Sequence, residues 1–229
     1  MGPRVIELED VCYSYGGDQL FAGISAKLPD GSFHFLTGPS GAGKTTLLKL
    51  CYGALRPTQG ALKVFGTPFQ SLDRDGVAKL RRRVGVVHQD VQFLDHLTVW
   101  DNVALPLTVS GRSVEAAERD ITELLAWVGL TDRARGHPPE LSGGERQRAA
   151  LARAVIMSPD IILADEPTGN IDWDMSQRLL DLLSELNRMG KTIVIATHDM
   201  SLVRAAKAQV QSRVLRLVNG QLHQAGSDL

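Results

Sequence analysis

Short apolar runs alternate with longer mixed stretches along the chain. The runs at 33–37, 161–164 and 192–197 are almost continuously apolar and lack the period-2 alternation of a half-exposed strand. They therefore predict strands that are covered on both faces of a parallel sheet. The stretch after each run has a helical pattern, so the order of elements is that of an α/β fold.

The amino-terminal part predicts a small antiparallel sheet. Residues 5–15 alternate loosely between apolar and polar side chains, and 62–65 is a further strand candidate. Turns are expected at Gly16-Gly17 and at Asp30-Gly31.

The middle of the chain predicts helices instead. Apolar residues recur at helical spacing over 114–128, after a candidate N-cap at Ser113 and before a stop at Gly129. A second helix is predicted from near Gly143 to 158–159. We expect residues 90–158, approximately, to form a mostly helical lobe within the α/β core.

Composition is that of a globular protein. The chain has 229 residues, of which 43% are hydrophobic and 22% charged, enough for one domain or one domain with a lobe. The formal net charge of -1 makes nucleic-acid binding by bulk charge an unfavoured hypothesis. Cys12 and Cys51 form no spaced framework, so we expect reduced thiols and a cytosolic protein.

Nothing in the sequence predicts membrane insertion. Acidic residues interrupt the early apolar stretch, which argues against a signal peptide, and no apolar run approaches the roughly 20 residues that span a bilayer. A membrane role would therefore need another chain to supply the span.

The segment 38–45 has the spacing of a phosphate-binding loop, with Lys-Thr after its last glycine. Its glycines let backbone N–H groups converge on phosphate, and a following helix would add its positive N-terminal end. The alternative is an ordinary glycine-rich turn, which the strand before the loop and the helical pattern after it disfavour. The predicted phosphate-binding residues are Gly38, Pro39, Ser40, Gly41, Ala42, Gly43, Lys44, Thr45 and Thr46.

Two further stretches carry candidate chemistry. The run at 161–164 ends in adjacent carboxylates, Asp165 and Glu166, whose side chains must take different directions. They could be a common acidic turn or a catalytic pair. Residues 141–145 place a serine and two glycines at a helix start, which suits an anion but equally a simple N-cap.

In this order, the motifs resemble the nucleotide-binding cassette of ABC-type ATPases over almost the whole chain. The loop resembles Walker A, 161–166 resembles Walker B, and 141–145 resembles the signature motif. Segment 169–172 resembles the D-loop of the family. Single-residue matches are the Q-loop glutamine Gln89, the switch histidine His198, and Tyr15 at the adenine-stacking position.

The resemblance implies a fold and a reaction. The fold would be a P-loop NTPase core, a mostly parallel sheet flanked by helices, with an amino-terminal antiparallel β subdomain and an inserted helical subdomain, all in one domain over 1–229. The reaction would be hydrolysis of ATP with Mg²⁺. Implied catalytic residues are Glu166 as general base, His198, Lys44 and Gln89; implied metal ligands are Thr45, Gln89 and Asp165.

The resemblance to ABC-type ATPases also implies an assembly of two chains. One chain holds one phosphate loop and one signature, and each family pocket joins the loop of one subunit to the signature of another. We therefore expect a homodimer with ATP at its interface, in which Ser142, Gly143 and Gly144 act in trans.

Within the family, segments 35–44, 101–107 and 163–170 resemble cassettes of a bacterial cell-division complex. A cassette of that kind would work with an integral membrane partner at the cytoplasmic side of the inner membrane and regulate septal cell-wall hydrolysis. The alternative is the ATPase of a lipoprotein-releasing or efflux transporter, with which 163–170 is shared. Soluble ABC ATPases and P-loop kinases match less well. His88 and Ile171 depart from the usual pattern, but neither change removes a ligand.

Segment 90–101 raises a hypothesis about the partner. It holds five large apolar residues, namely Phe93, Leu94, Leu97, Val99 and Trp100. In this family the stretch after the Q-loop glutamine lines a groove that receives a helix of the membrane subunit. The alternative is that these residues fill the seam between the core and the helical lobe.

Overall fold

The structure is a computed structural model that describes residues 4–169 and 171–224. Its strands are β1 (Arg4–Tyr15), β2 (Asp18–Pro29), β3 (Phe33–Thr37), β4 (Gln59–Val64), β5 (Thr67–Pro68), β6 (Val84–Val87), β7 (Ile161–Asp165), β8 (Thr192–Ala196), β9 (Ser212–Val218) and β10 (Gln221–Gln224). Its α-helices are α1 (Lys44–Cys51), α2 (Arg74–Arg81), α3 (Val99–Ser110), α4 (Glu118–Trp127), α5 (Gly143–Val155), α6 (Trp173–Arg188) and α7 (Met200–Lys207).

These strands form two sheets. The first is antiparallel, with the order β2-β1-β4-β5. The second has the order β10-β9-β3-β8-β7-β6, in which β10 alone pairs antiparallel with its neighbour. The predicted α/β fold, with an antiparallel sheet at the amino end and a mostly parallel sheet flanked by helices, is confirmed.

The central strands are buried on both faces, as their continuous apolar sequence predicts. In β3, Leu36 packs with the antiparallel sheet and α1, whereas Phe33 and Phe35 face the opposite cluster with α5, α6 and α7. Strands β7 and β8 alternate in the same way. Polar side chains are few before the carboxyl ends of these strands: His34 in β3 and Thr192 at the start of β8, both buried.

The three buried runs and the first strand agree with the prediction to within one residue at each end, whereas β4 begins at Gln59, three residues before the predicted strand 62–65, and ends one residue earlier than predicted. Strand β7 extends to Asp165, and β8 stops at Ala196, before Thr197. The sequence did not predict β6, which is only four residues long, or the β9–β10 hairpin, whose side chains are mixed in polarity.

Three α-helices lie between β6 and β7, where helices were predicted. Gly129 ends α4 with a left-handed φ of 67°, as expected. The predicted start at 114 is wrong: Ser113 accepts from the amide of Ala116 and caps a 3₁₀ turn, and the α-helix begins at Glu118. The extent of the domain and of its helical lobe, 1–229 and 90–158, stays a prediction.

Helix α5 joins two apolar clusters. Ala150, Leu151 and Val155 pack on the parallel sheet with α6 and α7, whereas Ala149 and Ala152 pack with α3 and α4. The helix therefore holds the helices between β6 and β7 against the sheet.

Two further sequence predictions concern cysteines and membrane spans. Cys12 and Cys51 are free thiols, as predicted. Across 4–169 and 171–224, no helix combines the length and apolarity that a membrane crossing requires.

A buried asparagine fixes the segment before α3. Asn102 is 0% exposed, and its amide donates to the carbonyl oxygens of Leu94, Leu97 and Thr98 while its oxygen accepts from the Leu94 amide. The path of 94–98 therefore depends on one side chain from the next helix.

We expect Asn102→Ala to lower the free energy of unfolding by about 2 kcal/mol, because it leaves several buried backbone groups without partners. Urea denaturation at neutral pH measures this, and Thr108→Ala, at an exposed position of the same helix, is the control. Equal stability of the Asn102→Ala and Thr108→Ala variants would contradict this role.

Candidate active site

A pocket of about 640 Å³ lies at the carboxyl ends of β3, β7 and β8. In an α/β sheet this is the edge at which ligands bind. Its lining residues come from widely separated parts of the sequence: Tyr15, Leu20, Ser40, Gly41, Gly43, Lys44, Thr45, Thr46, Gln89, Asp165, Glu166 and His198.

The loop between β3 and α1 needs glycine for its shape. Gly38 and Gly43 have positive φ values of 152° and 100°. A Cβ at residue 38 would collide with the carbonyl oxygen of Leu217, and one at residue 43 would lie 2.7 Å from the Phe21 ring. Gly43 is also the N-cap of α1 and offers no side-chain oxygen to its N–H groups. The amino end of α1 is therefore free to bind an anion.

Lys44 is buried with its ammonium in the pocket. It is 8% exposed, and Nζ donates to the carbonyl oxygens of Gly38 and Pro39 at 3.0 and 3.2 Å. Nζ also lies 3.6 Å from Oε1 of Glu166. A buried cation of this kind attracts negatively charged groups such as phosphate.

The carboxylate of Glu166 is held from two sides. Its Oε1 lies 3.0 Å from His198 Nδ1, in addition to its contact with Lys44, and Oε2 accepts weakly from the His198 amide. Glu166 has a left-handed φ of 44°, and its amide donates to the Ala196 carbonyl oxygen of β8 at 2.8 Å. This backbone turn directs the side chain away from the strand line and toward the pocket.

Asp165 is the last residue of β7 and lines the same pocket as Glu166. It is 5% exposed, and its Oδ1 has no hydrogen-bond partner. Burial raises the pKa of Asp165, while a hydrogen bond with Thr45 opposes this. An orphaned carboxylate oxygen beside a hydroxyl is a ligand pair that suits a hard cation such as Mg²⁺.

Tyr15 and Gln89 enter the pocket from its rim. Tyr15 is 49% exposed, its ring contacts Tyr13 edge-on at 4.9 Å, and its hydroxyl lies 3.2 Å from that of Thr46. Gln89 follows β6 and is exposed. Leu20 also lines the pocket but was not predicted as a site residue. It is the third residue of β2, close in sequence to Tyr15 across the Gly16-Gly17 turn, and this nearness is the signal that could have found it.

The signature residues do not line this pocket. Ser142 is the N-cap of α5 and forms a capping box with Glu145, while Gly143 and Gly144 open the helix. Gly144 lies beside Ile171 and Met175, so the start of α5 contacts the region of the predicted D-loop. Asn170 of that motif lies outside the described residues, and Asp172 caps α6 by accepting from Met175.

The pocket offers only a few side chains that could bind a metal ion. No cluster of three or more His, Cys, Asp and Glu side chains suited to a metal occurs in residues 4–169 and 171–224. Asp165 is the acidic ligand candidate, with oxygen from Thr45 and Gln89 beside it. This donor set suits Mg²⁺ that is bound together with phosphate groups.

Comparison with known proteins decides the family. The family model described as ABC transporter matches residues 21–169, which include the phosphate loop, the signature and the Asp165-Glu166 pair. The chain belongs to this family. As an ABC-type cassette it is an ATPase.

Curated relatives of the cassette are cell-division ATP-binding proteins. It is 43% identical to FtsE of Escherichia coli K12 over 96% of this chain and 97% of the relative. It is 44% identical to FtsE of Mycobacterium tuberculosis H37Rv over 87% and 85%, and 39% identical to that of Bacillus subtilis 168 over 90% and 91%. The predicted resemblance to ABC cassettes of the cell-division kind is confirmed.

Solved cassettes have the same fold. The dimeric ATP-binding cassette MJ0796 in a post-hydrolysis state with ADP and Pi has a TM-score of 0.86 and 32% identity, over 96% of this chain and 97% of that chain. A second dimeric structure of the same protein has a TM-score of 0.84 and 32% identity over 96% and 99%.

The capping box of the cassette signature should impose a pH dependence on stability. Hydrogen bonds from the backbone and side chain of Ser142, helped by Arg133, lower the pKa of Glu145 from 4.5 to about 2. A depressed carboxylate pKa stabilises the fold above the unfolded pKa, and the contribution disappears as the pH falls from about 4.5 to about 2.

We therefore expect Glu145→Gln to destabilise the protein at pH 7 and to lose this disadvantage progressively below pH about 4.5. Urea titrations between pH 3 and 7 measure the difference from the unmodified protein, with Glu118→Gln at an exposed helix start as control. A difference that stays constant across this range would contradict the capping role of the ionised side chain.

Proposed function

We propose that this ATPase is the nucleotide-driven subunit of a bacterial cell-division complex and works with an integral membrane subunit of the FtsX kind. The observation that carries the catalytic part is the placement of Glu166, between Lys44 and His198, at the open end of the phosphate loop. The similarity to FtsE proteins supports the cell-division part. On this proposal the chain lies at the cytoplasmic face of the inner membrane without spanning it.

Each pocket residue has a role in binding ATP. Tyr15 stacks on adenine, which its exposed ring at the rim allows. The loop residues Gly38, Pro39, Ser40, Gly41, Ala42 and Gly43, with Thr45 and Thr46, surround the phosphates, and Lys44 faces the β- and γ-phosphates.

Hydrolysis requires positioning and charge stabilisation rather than covalent chemistry. Glu166 accepts a proton from the attacking water, the oxygen of that water bonds to the γ-phosphorus, and the bond to the ADP oxygen breaks. His198 positions the Glu166 carboxylate relative to the γ-phosphate. Mg²⁺, held through Asp165, Thr45 and Gln89, would neutralise charge on the phosphates.

Lys44 also lies close to the proposed general base, with Nζ 3.6 Å from Oε1 of Glu166. Phosphate oxygens compete for the same ammonium group. ATP binding would therefore release the Glu166 carboxylate for contact with water.

The pocket lacks the signature residues of its own chain, so we propose that a second copy supplies them. Ser142, Gly143 and Gly144 would close the γ-phosphate from the opposite subunit, giving a two-fold dimer with two shared ATP sites. Dimeric MJ0796, with the same fold, supports this arrangement. Hydrolysis would open the dimer and move the membrane subunit.

The predicted docking segment is only partly available to a partner. Leu94 is 42% exposed, but Val99 is buried and Phe93 packs against two apolar clusters. Val99 and Trp100 pack with the helices between β6 and β7, and Phe93 also packs against the cluster on the parallel sheet. Docking of a partner at Leu94 and Leu97 stays a prediction. A cavity of about 430 Å³ is lined in part by the segment itself, through Thr98 and Trp100, and on its other side by Thr122 and Leu125 of α4.

The role of Glu166 predicts a specific kinetic defect. We expect Glu166→Gln to retain ATP binding, to lower turnover by about a hundredfold or more, and to accumulate an ATP-bound dimer, because the amide cannot accept the proton. Phosphate release and gel-filtration mass with ATP measure this. Asp160→Asn, a change at a surface ion pair, is the control, and near-normal turnover of Glu166→Gln would contradict the proposal.

Shared sites predict complementation between two inactive variants. A Lys44→Ala chain and a Ser142→Arg chain each form homodimers without a complete site, whereas their mixed dimer holds one. Equimolar mixing should restore about a quarter of normal activity if the sites act independently. No recovery, despite heterodimers demonstrated by differential tagging, would refute sites shared between chains.

A further inference from the structure

One arginine of α5 lies beside the signature residues but belongs to none of the matched motifs. Arg146 follows Ser142 by one helical turn, and its amide donates to the Ser142 carbonyl oxygen at 2.9 Å. Its side chain is half-buried. The adjacent carboxylate, Glu145, pairs with Arg133 instead. Across the described parts of the chain no ion pair involves Arg146, so uncharged groups hold its guanidinium.

These uncharged groups come from two separate segments. Nη1 of Arg146 donates to the Pro138 carbonyl oxygen at 2.8 Å, in the 3₁₀ turn just before the signature. Nη2 donates to the Val91 carbonyl oxygen at 3.3 Å, and the guanidinium lies 5.3 Å from the centre of the Phe93 ring. Because a guanidinium presents several N–H donors in one fixed plane, a single side chain can hold two carbonyl oxygens at a set separation. Arg146 thus fixes the turn before the signature relative to the segment after Gln89.

The segment 88–93 depends on contacts of this kind. It belongs to neither a helix nor a strand. Within the part of the chain that the structure describes, its two hydrogen bonds both come from α5: that of Arg146, and the donation of Arg153 to the Gln92 carbonyl oxygen at 2.7 Å. The position of Gln89 within this segment is therefore set in part from α5.

We propose that Arg146 is a positioning residue for both ATP sites of the dimer. Through the segment 88–93 it orients Gln89, which lines the pocket of its own chain. Through the turn before the signature and the first turn of α5, it orients Ser142 toward the pocket of the second copy. This inference rests on the proposed function, because it takes the shared sites from there; the role of Arg146 comes from its own contacts.

The two connections make the ATP sites depend on each other. ATP that draws Gln89 toward its γ-phosphate moves the segment 88–93, and Arg146 carries part of that movement to the helix start that serves the other pocket. Arg146 does not itself line the pocket, so its replacement should change turnover more than ATP affinity. Lysine would keep the charge but could not hold both carbonyl oxygens in one plane.

Mixed dimers with one working site test the two connections separately. When a Lys44→Ala chain pairs with a Ser142→Arg chain, the working site takes its loop and Gln89 from the Ser142→Arg chain and its signature from the Lys44→Ala chain. Arg146→Met, which keeps apolar bulk and removes the donors, is placed in either chain in turn. We expect turnover at saturating ATP to fall about fivefold in each placement, while KM for ATP changes less than about twofold. Arg146→Lys should retain more turnover than Arg146→Met in both placements.

The matched control is Arg204→Met, at an exposed position of α7, which should leave turnover unchanged in both placements. Amide hydrogen exchange of the chain without ATP gives a readout that does not depend on activity. Arg146→Met should speed exchange in 88–94 and 138–142 and leave β7 and β8 unchanged, whereas a general loss of stability would speed exchange throughout.

The possible results separate this inference from the proposed function. If the single-site dimers work and Arg146→Met lowers turnover in only one placement or in neither, the inference is overturned while the proposed function stands. Exchange that rises equally in β7 and β8 would also overturn it, because Arg146 would then only stabilise the fold. Where Arg146→Met does not fold, Arg146→Lys decides by the same two placements. If single-site dimers with an intact Arg146 form but show no turnover, the shared sites fail, and this inference with them.

Discussion

Parallel pairing of three short buried strands is the constraint on which the site depends. Strands β3, β8 and β7 are adjacent and in register, so their carboxyl ends lie side by side. The phosphate loop follows the first, His198 follows the second, and Asp165 and Glu166 end the third. Neighbouring strands are about 4.8 Å apart, which brings ends separated by more than 100 residues into hydrogen-bond distance. The 3.0 Å contact between His198 and Glu166 is a result of this register.

Helix α5 connects the signature residues at its amino end with the segment that follows Gln89. Its first residue follows the Ser142 cap, and one of its faces packs on the sheet. Two of its arginines reach the segment after Gln89: Arg146 donates to the Val91 carbonyl oxygen, and Phe93 lies between Arg146 and Arg153. Displacement of α5 would therefore move the signature end and the segment beyond Gln89 together. The helix thus provides a physical link between Ser142 and the segment beyond Gln89.

The sequence predicted best those features that depend on local chemistry. Glycine spacing in the loop, continuous apolar strands and a serine at the start of α5 each specify their structure with few outside contacts. The sequence predicted less well the elements and site residues whose structure depends on contacts between distant parts of the chain. Strand β6 is four residues long and is recognisable mainly by its pairing with β7, and Leu20 reaches the site through a turn. Phe93 is a large apolar residue that the sequence suggested for contact with a partner. Two arginines more than 50 residues further along the chain, Arg146 and Arg153, lie over its ring instead.

The close packing of Gly38 against Leu217 has a consequence for synthesis of the chain. The phosphate loop is complete in sequence by residue 45, yet the strand that backs it, β9, begins at Ser212 and pairs directly with β3. On the ribosome, where domains fold as the chain emerges, the loop is made well before the strand that supports it. Until then β3 has an open edge on that side. The nascent cassette thus cannot form a finished nucleotide site before β9 has left the exit tunnel, which delays ATP binding until that strand has paired with β3.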